Sequence, residues 1–227
     1  MDFSGLEKKL GVEFRNQDLL KQALTHRSYL NENPSWPHGQ NERLEFLGDA
    51  VLELASTEYL YERYQNPEGE LTSFRAALVN SASLAEAATE LGVNDFLLLS
   101  RGESKEFGRS RTEILANTFE ALVGAIYLDQ GYGAAKTFLS RALFPRIDEI
   151  VSLGSWRDPK SRFQEEAQAR VGVTPTYRVL REWGPDHAKH FLVALFIGDE
   201  RVAEGEGPSK QTAEVVAAEA GLSAKGW

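Results

Sequence analysis

The chain contains no cysteine, which excludes disulfides and thiolate metal sites. No apolar stretch approaches the length of a membrane span. The first residues, MDFSGLEKKLG, carry charge early and no apolar run, so they do not read as a secretory signal, and a cytoplasmic protein is expected. There is no internal repeat and no low-complexity tract. Positive charge is also in short supply: 25 Lys+Arg face 34 Asp+Glu, for a net charge of −9. Nucleic-acid binders are usually basic, so this balance argues against one. The deficit is uneven, however. From Arg157 onward there are 10 basic and 11 acidic residues, whereas the upstream part holds 15 and 23. The acid is concentrated in the first part, where carboxylates could hold metal. The second part could bind a polyanion only through a local patch.

What remains is an ordinary globular composition, 42% hydrophobic and 26% charged over 227 residues, with room for one large domain or two small ones. The first part reads as successive helices over Leu6–Leu10, Asp18–Leu30, Glu42–Tyr64, Leu71–Leu91, Glu113–Leu128 and Tyr132–Leu143, each with apolar residues at helical spacing. Breaks fall at Asn31–Gln40, Asn66–Glu70, Gly92–Asp95 and Arg101–Arg111. Pro145 and Gly154-Ser155 mark an expected linker, and Asp158-Pro159 a helix start, with an N-cap followed by proline at the first helical position. That helix carries Phe163, Ala167 and Val171 on one face. Thr176–Trp183, Lys189–Ile197 and Arg201–Glu206 read as strands and Lys210–Ala220 as a closing helix, an α-β-β-β-α order. The division expected is 1–150 and 157–225.

Two helices carry the chemistry. In NERLEFLGD, residues 41–49, and just beyond it, Glu42, Glu45, Asp49 and Glu53 fall on one stripe. A solvated acidic face opposite a core of Leu44, Leu47, Val51 and Leu54 would look the same, although Phe46 and Leu52 flank the stripe. The run Ile114–Leu128 is apolar on nearly every side, so it reads as a buried helix, yet Asn117 and Glu120 sit three residues apart on one of its faces. A buried carboxylate needs a cation or a donor. An arginine paired with Glu120, with Asn117 capping backbone, is the structural alternative. Gly124, one turn on, would let another helix approach closely. Glu45, Asp49, Asn117 and Glu120 form an all-oxygen set suited to Mg²⁺ or Mn²⁺ and to phosphoryl chemistry. No Ser/His/Asp spacing stands out, and His26 in ALTHRSYL reads as a structural histidine.

NERLEFLGDAVLEL at 41–54 resembles the signature of the ribonuclease III family. ALTHRSYLNEN at 23–33, GELTSFRAALVNSASLAEAA at 69–88 and ILANTFEALVGAIYLDQGY at 114–132 extend the resemblance along the chain. It implies an α+β protein, an all-α endonuclease domain followed by a small α-β-β-β-α double-stranded-RNA-binding domain. It further implies a homodimer that cuts the two strands of duplex RNA with Mg²⁺, leaving 5′-phosphate and 3′-hydroxyl ends, in processing of rRNA and other structured precursors. By position, Glu45, Asp49 and Glu120 match metal ligands, with Asp49 and Glu120 tied to catalysis. Glu42 and Glu68 match acidic positions near the dimer and substrate interface. Asn117 departs, standing where most members carry aspartate; an amide still coordinates but brings no charge.

The second part resembles the double-stranded-RNA-binding domain. The resemblance implies that Gln164, Glu165 and Gln168 read the minor groove. His187 in GPDHAKHF would enter the next groove, and Lys210 with helix N–H groups would seat a phosphate. Lys210 alone could equally be a solvated lysine. Gln211 and Glu214 replace two commonly basic positions, so binding should be weak and salt-sensitive, with two such domains in a dimer compensating. Two other readings stay open: a duplex-RNA-binding protein that lost cleavage through Asn117, and a helical metal-dependent nucleotide pyrophosphatase, which the duplex-binding tail disfavours. No membrane or small-molecule partner is expected.

Overall fold

The structure is a computed structural model that describes residues 2–105, 108–185 and 188–227. It divides into two compact units, Met1–Trp156 and Arg157–Trp227.

In the first unit, α1 (Ser4–Leu10), α2 (Gln17–Ala23), α3 (Arg27–Glu32), α4 (Glu42–Arg63), α5 (Glu68–Leu78), α6 (Ser81–Glu90), α7 (Arg109–Gln130), α8 (Tyr132–Ala142) and α9 (Arg146–Leu153) follow one another. Short 3₁₀ turns lie at Val93–Phe96 and Glu103–Lys105. The centre is α7, which packs against α4, α6, α8 and α2. Its Phe119 meets Phe138 of α8 at 5.5 Å between ring centroids. Burying phenylalanines of this kind contributes about 1.5–3 kcal/mol each, and Phe119, Phe138, Phe74 and Phe144 are all fully enclosed.

Three sequence expectations are corrected here. The run Asp18–Leu30 is two helices, because the chain is turned at Thr25, which forms a lone parallel bridge to Leu98. The Asn41 N–H also donates to the Thr25 carbonyl at 2.9 Å, and His26 N–H to the Leu98 carbonyl at 3.0 Å. The run Leu71–Leu91 is broken after Leu78, where the Asn80 side chain accepts from Ser83 N–H at 2.9 Å and starts α6. The expected linker after Pro145 is instead α9. It buries Ile147 and ties Arg146 to Glu86 and Glu90 of α6 at 2.8 and 2.7 Å. Trp156, just beyond it, packs edge-on against Phe74 at 4.7 Å.

In the second unit α10 (Pro159–Val171) precedes β1 (Thr176–Trp183), β2 (His190–Ile197), β3 (Glu200–Gly207) and α11 (Lys210–Lys225). The strands form an antiparallel sheet in the order β1-β2-β3, with Val179 opposite Val193 and Leu195 opposite Ala203. α10 packs against α11, and α11 against β2 and β3. The α10 N-cap forms as expected, the Asp158 carboxylate accepting from Ser161 N–H at 2.9 Å. The core joins Phe163 and Ala167 of α10, Leu195 and Ile197 of β2, and Ala217, Ala218 and Leu222 of α11. The helix–sheet approach is close: a Cβ on Gly205 would strike the Ala213 carbonyl and the Ala217 nitrogen. Val171 does not join this core; it is 51% exposed, because Gly172 in the left-handed region ends the helix directly after it.

Candidate active site and RNA-binding surface

The site is made by the crossing of α4 and α7. A Cβ on Gly48 would overlap the Glu120 carbonyl oxygen, and one on Gly124 the Leu44 carbonyl oxygen. Only glycine permits this approach, and it sets the acidic stripe of α4 beside Asn117 and Glu120 of α7. On the stripe Glu42 and Asp49 are exposed, and Glu45 and Glu53 are partly buried. Leu44 and Val51 are buried as expected, but Leu54 is 57% and Phe46 83% exposed, so the flank beside the acid is open and apolar.

Glu120 is half-buried, and burial pushes its carboxyl up to about 7, helped by Asp49, then Glu45, then Glu53. Glu45 is raised too, by burial first and then by Glu42 and Asp49. Among the described residues no cation pairs with Glu45, Asp49 or Glu120, so the core ion pair considered for Glu120 is not seen there. Glu53, at the end of the stripe, is held instead by Arg75 at 2.9 Å. Nor is α7 enclosed on all sides. Asn117 is exposed, and it lines an open cleft of about 420 Å³ with His26, Arg27, Glu42, Glu45, Glu103 and Glu113 among others.

The donor set is all oxygen. Among the described residues no three acidic or histidine side chains converge closely enough for a ready-made metal cage. The carboxylates therefore crowd one another electrostatically without meeting at a point. This arrangement fits a hard cation that keeps several waters and takes only one or two carboxylates directly.

Glu42 lies at the mouth of the cleft, 3.9 Å from Arg27 and hydrogen-bonded by Gln40 at 2.8 Å. Glu68 does not join the cluster. It lines a separate groove with Tyr61, Leu71 and Arg75. Sequence reasoning missed the exposed line Phe46, Leu54 and Tyr61 on α4, the last 76% exposed; the signal was apolar residues at positions 8 and 7 apart on a helix already full of core positions.

In the second unit Gln164, Glu165 and Gln168 all lie on the exposed side of α10. Lys210 is exposed at the start of α11, its Nζ 5.8 Å from the Phe191 ring, and Ser209 caps the helix by accepting from Thr212 N–H at 3.1 Å. His187 lies outside the described residues. Glu214 is ion-paired with Lys160 at 2.6 Å.

Comparison with known proteins matches residues 16–147 to a family described as Ribonuclease-III-like and residues 159–224 to the double-stranded RNA binding motif. The chain is 43% identical to Ribonuclease 3 of Enterococcus faecalis, covering 96% of this chain and 94% of that one. It is 45% identical to Ribonuclease 3 of a Geobacillus strain, covering 97% and 89%. Among solved structures it is similar to the nuclease domain of a ribonuclease III from Campylobacter jejuni. There the identity is 42% and the TM-score 0.58, with 63% of this chain and 99% of that one covered.

Proposed function

The chain belongs to the ribonuclease III family of endoribonucleases and carries a double-stranded-RNA-binding module, and on that premise we propose that it hydrolyses phosphodiester bonds of duplex RNA with Mg²⁺. Mn²⁺ would substitute. The products would carry 5′-phosphate and 3′-hydroxyl ends, and the substrates would be rRNA and other structured precursors in the cytoplasm. The observation that carries the reading is Glu120, whose carboxyl is raised to about 7 beside Asp49 and Glu45 with no pairing cation among the described residues.

Glu45, Asp49, Asn117 and Glu120 would hold the cation, one or two of the carboxylates directly and the other groups through its waters. Bound there, it would neutralise the phosphate and make water a better nucleophile. Glu120 keeps a proton below about pH 7, so protons compete with the cation and cleavage should fall as pH drops through that value. Glu42 would stand at the substrate entrance. Residues 1–150 would form the catalytic domain and 157–225 the binding domain. There Gln164, Glu165 and Gln168 would read 2′-hydroxyls, His187 would reach the next groove and Lys210 would take a phosphate.

The homodimer reading is supported by Phe46, Leu54 and Tyr61, a line of exposed apolar side chains on α4 of the kind that marks an interface. The solved Campylobacter jejuni structure is described as having a region involved in dimer formation of its nuclease domain. Glu68 would lie near that interface.

One assay tests the reading: a fully paired RNA and its single strand, each with and without Mg²⁺, with the product ends analysed. Cleavage of the duplex alone, dependent on Mg²⁺, is expected. Duplex binding without cleavage at any Mg²⁺ or Mn²⁺ level would instead favour a binding protein impaired by Asn117, which faces the cleft with a neutral amide.

A further inference from the structure

The imidazole of His26 sits in the wall of the same cleft as Glu45 and Asn117, and its orientation is set on one side only. Its Nδ1 lies 2.8 Å from Ser28 Oγ and accepts from Ser28 N–H at 3.3 Å. Ser28 Oγ in turn accepts from Ser100 N–H at 3.1 Å. A backbone N–H can only donate, so Nδ1 must carry a lone pair, and Ser28 Oγ–H then points at it. The ring proton is therefore on Nε2. Among the described residues nothing hydrogen-bonds that Nε2, and it is not a buried orphan.

The cleft is otherwise hostile to an RNA strand. Glu42, Glu45, Glu103 and Glu113 all line it, and Arg27, 75% exposed, is the one cation among its described lining residues. A phosphate entering there needs a donor that brings no acceptor with it. A neutral N–H fixed by a serine relay meets that need.

We propose that His26 is a substrate-contacting residue, its Nε2–H donating to a phosphate oxygen of the RNA strand beside the carboxylate cluster, with Arg27 supplying the neighbouring positive charge. The inference rests on the cleavage reading above. Burial, which lowers the proton affinity of His26 against the pull of Glu103 and Glu42, is consistent with a ring that stays neutral.

The competing role for His26 is purely structural, since its side chain also caps α3. Two substitutions separate the roles. In His26→Asn the amide oxygen falls where Nδ1 was and keeps the cap, but nothing reaches the Nε2 position. In His26→Gln the amide nitrogen falls near Nε2 and keeps the donor, but the cap is lost. The expected result is an inverse order: the Gln variant melts at a lower temperature yet cleaves duplex RNA with a kcat about tenfold or more above that of the Asn variant. An Asn variant as active as the Gln variant, or more so, overturns the proposal.

Should the Gln variant fail to fold, Ser28→Ala decides, because it keeps the ring and its backbone N–H partner but removes the hydroxyl that orients the imidazole. A kcat lowered about threefold supports the proposal, and an unchanged kcat overturns it. Wild-type cleavage in the same assay reports separately on the proposed function. If wild type binds duplex but cuts none, the order of the Gln and Asn variants in duplex affinity decides in the same sense.

Discussion

The two units treat charge in opposite ways. In the second, several acidic and basic side chains are paired: Lys160 with Glu214 at 2.6 Å, Lys189 with Glu182 at 2.8 Å, Lys225 with Glu200 at 2.7 Å, and Arg201 with Glu204. At the crossing of α4 and α7 in the first, Glu45, Asp49 and Glu120 have no such partner among the described residues, and burial plus mutual repulsion raise two of them. Surface pairs such as those of the second unit contribute about 0–1 kcal/mol each and leave little charge for a ligand to feel. A half-buried, uncompensated cluster costs stability in the metal-free protein, and natural chains keep such a cost where function needs it.

The contrast is broken most severely by Glu120→Gln. With its folded proton affinity at about 7 against an ordinary 4.5, Glu120 stabilises the protonated fold at low pH and loses that contribution as pH rises from about 4.5 through 7. The Gln variant should therefore melt higher than wild type at pH 8 without metal, while cleaving about a thousandfold more slowly or worse. Melting curves and cleavage rates on the same samples check this. A variant that melts lower and still cuts would make Glu120 a structural group.

Smaller is the effect of Asn117→Asp, which sharpens the contrast by adding a unit charge to the exposed edge of the cluster. The Mg²⁺ concentration for half-maximal cleavage should fall by about tenfold, the scale of roughly 1.4 kcal/mol. Superimposed titration curves would remove Asn117 from the ligand set.

Much of this was legible in the chain. The i, i+3 and i+7 spacing of Glu42, Glu45 and Asp49 puts acid on one side of a helix, and Gly124 already pointed to a close helix approach, whereas its counterpart Gly48 emerged only from the structure. The α-β-β-β-α order of the second unit follows from Asp158-Pro159 and the alternation in Phe191, Val193, Leu195 and Ile197. What could not be read depends on residues distant in sequence. Thr25 breaks a helix because Leu98 pairs with it. Asn117 is exposed and shares its cleft with His26, Arg27 and Glu103, none of them near it in sequence. The state of the His26 ring depends on Ser28 and Ser100. Pro145 misled in another way: it ends one helix and opens the next, and only Ile147, Ile150 and Val151 behind it reveal α9.

The smallest expected effect lies within the second unit. Lys210, without an ion-pair partner among the described residues, should matter to RNA, whereas Lys225, held by Glu200, should not. Lys210→Ala is expected to weaken duplex binding several-fold and to flatten its salt dependence by about one ion. Lys225→Ala should change affinity by less than about twofold. Equal effects of the two would mean that pairing does not decide which lysines meet the phosphate.

The central claim, that an unpaired carboxylate cluster is kept for a cation, is tested most directly without any RNA. Wild type and Glu120→Gln are melted at pH 8 with and without millimolar Mg²⁺. A ligand that binds only the folded form raises the melting temperature, and does so more as its concentration rises above its Kd. The account predicts a rise of several degrees for wild type and little or none for the variant. An equal rise in both, or none in wild type, would contradict it.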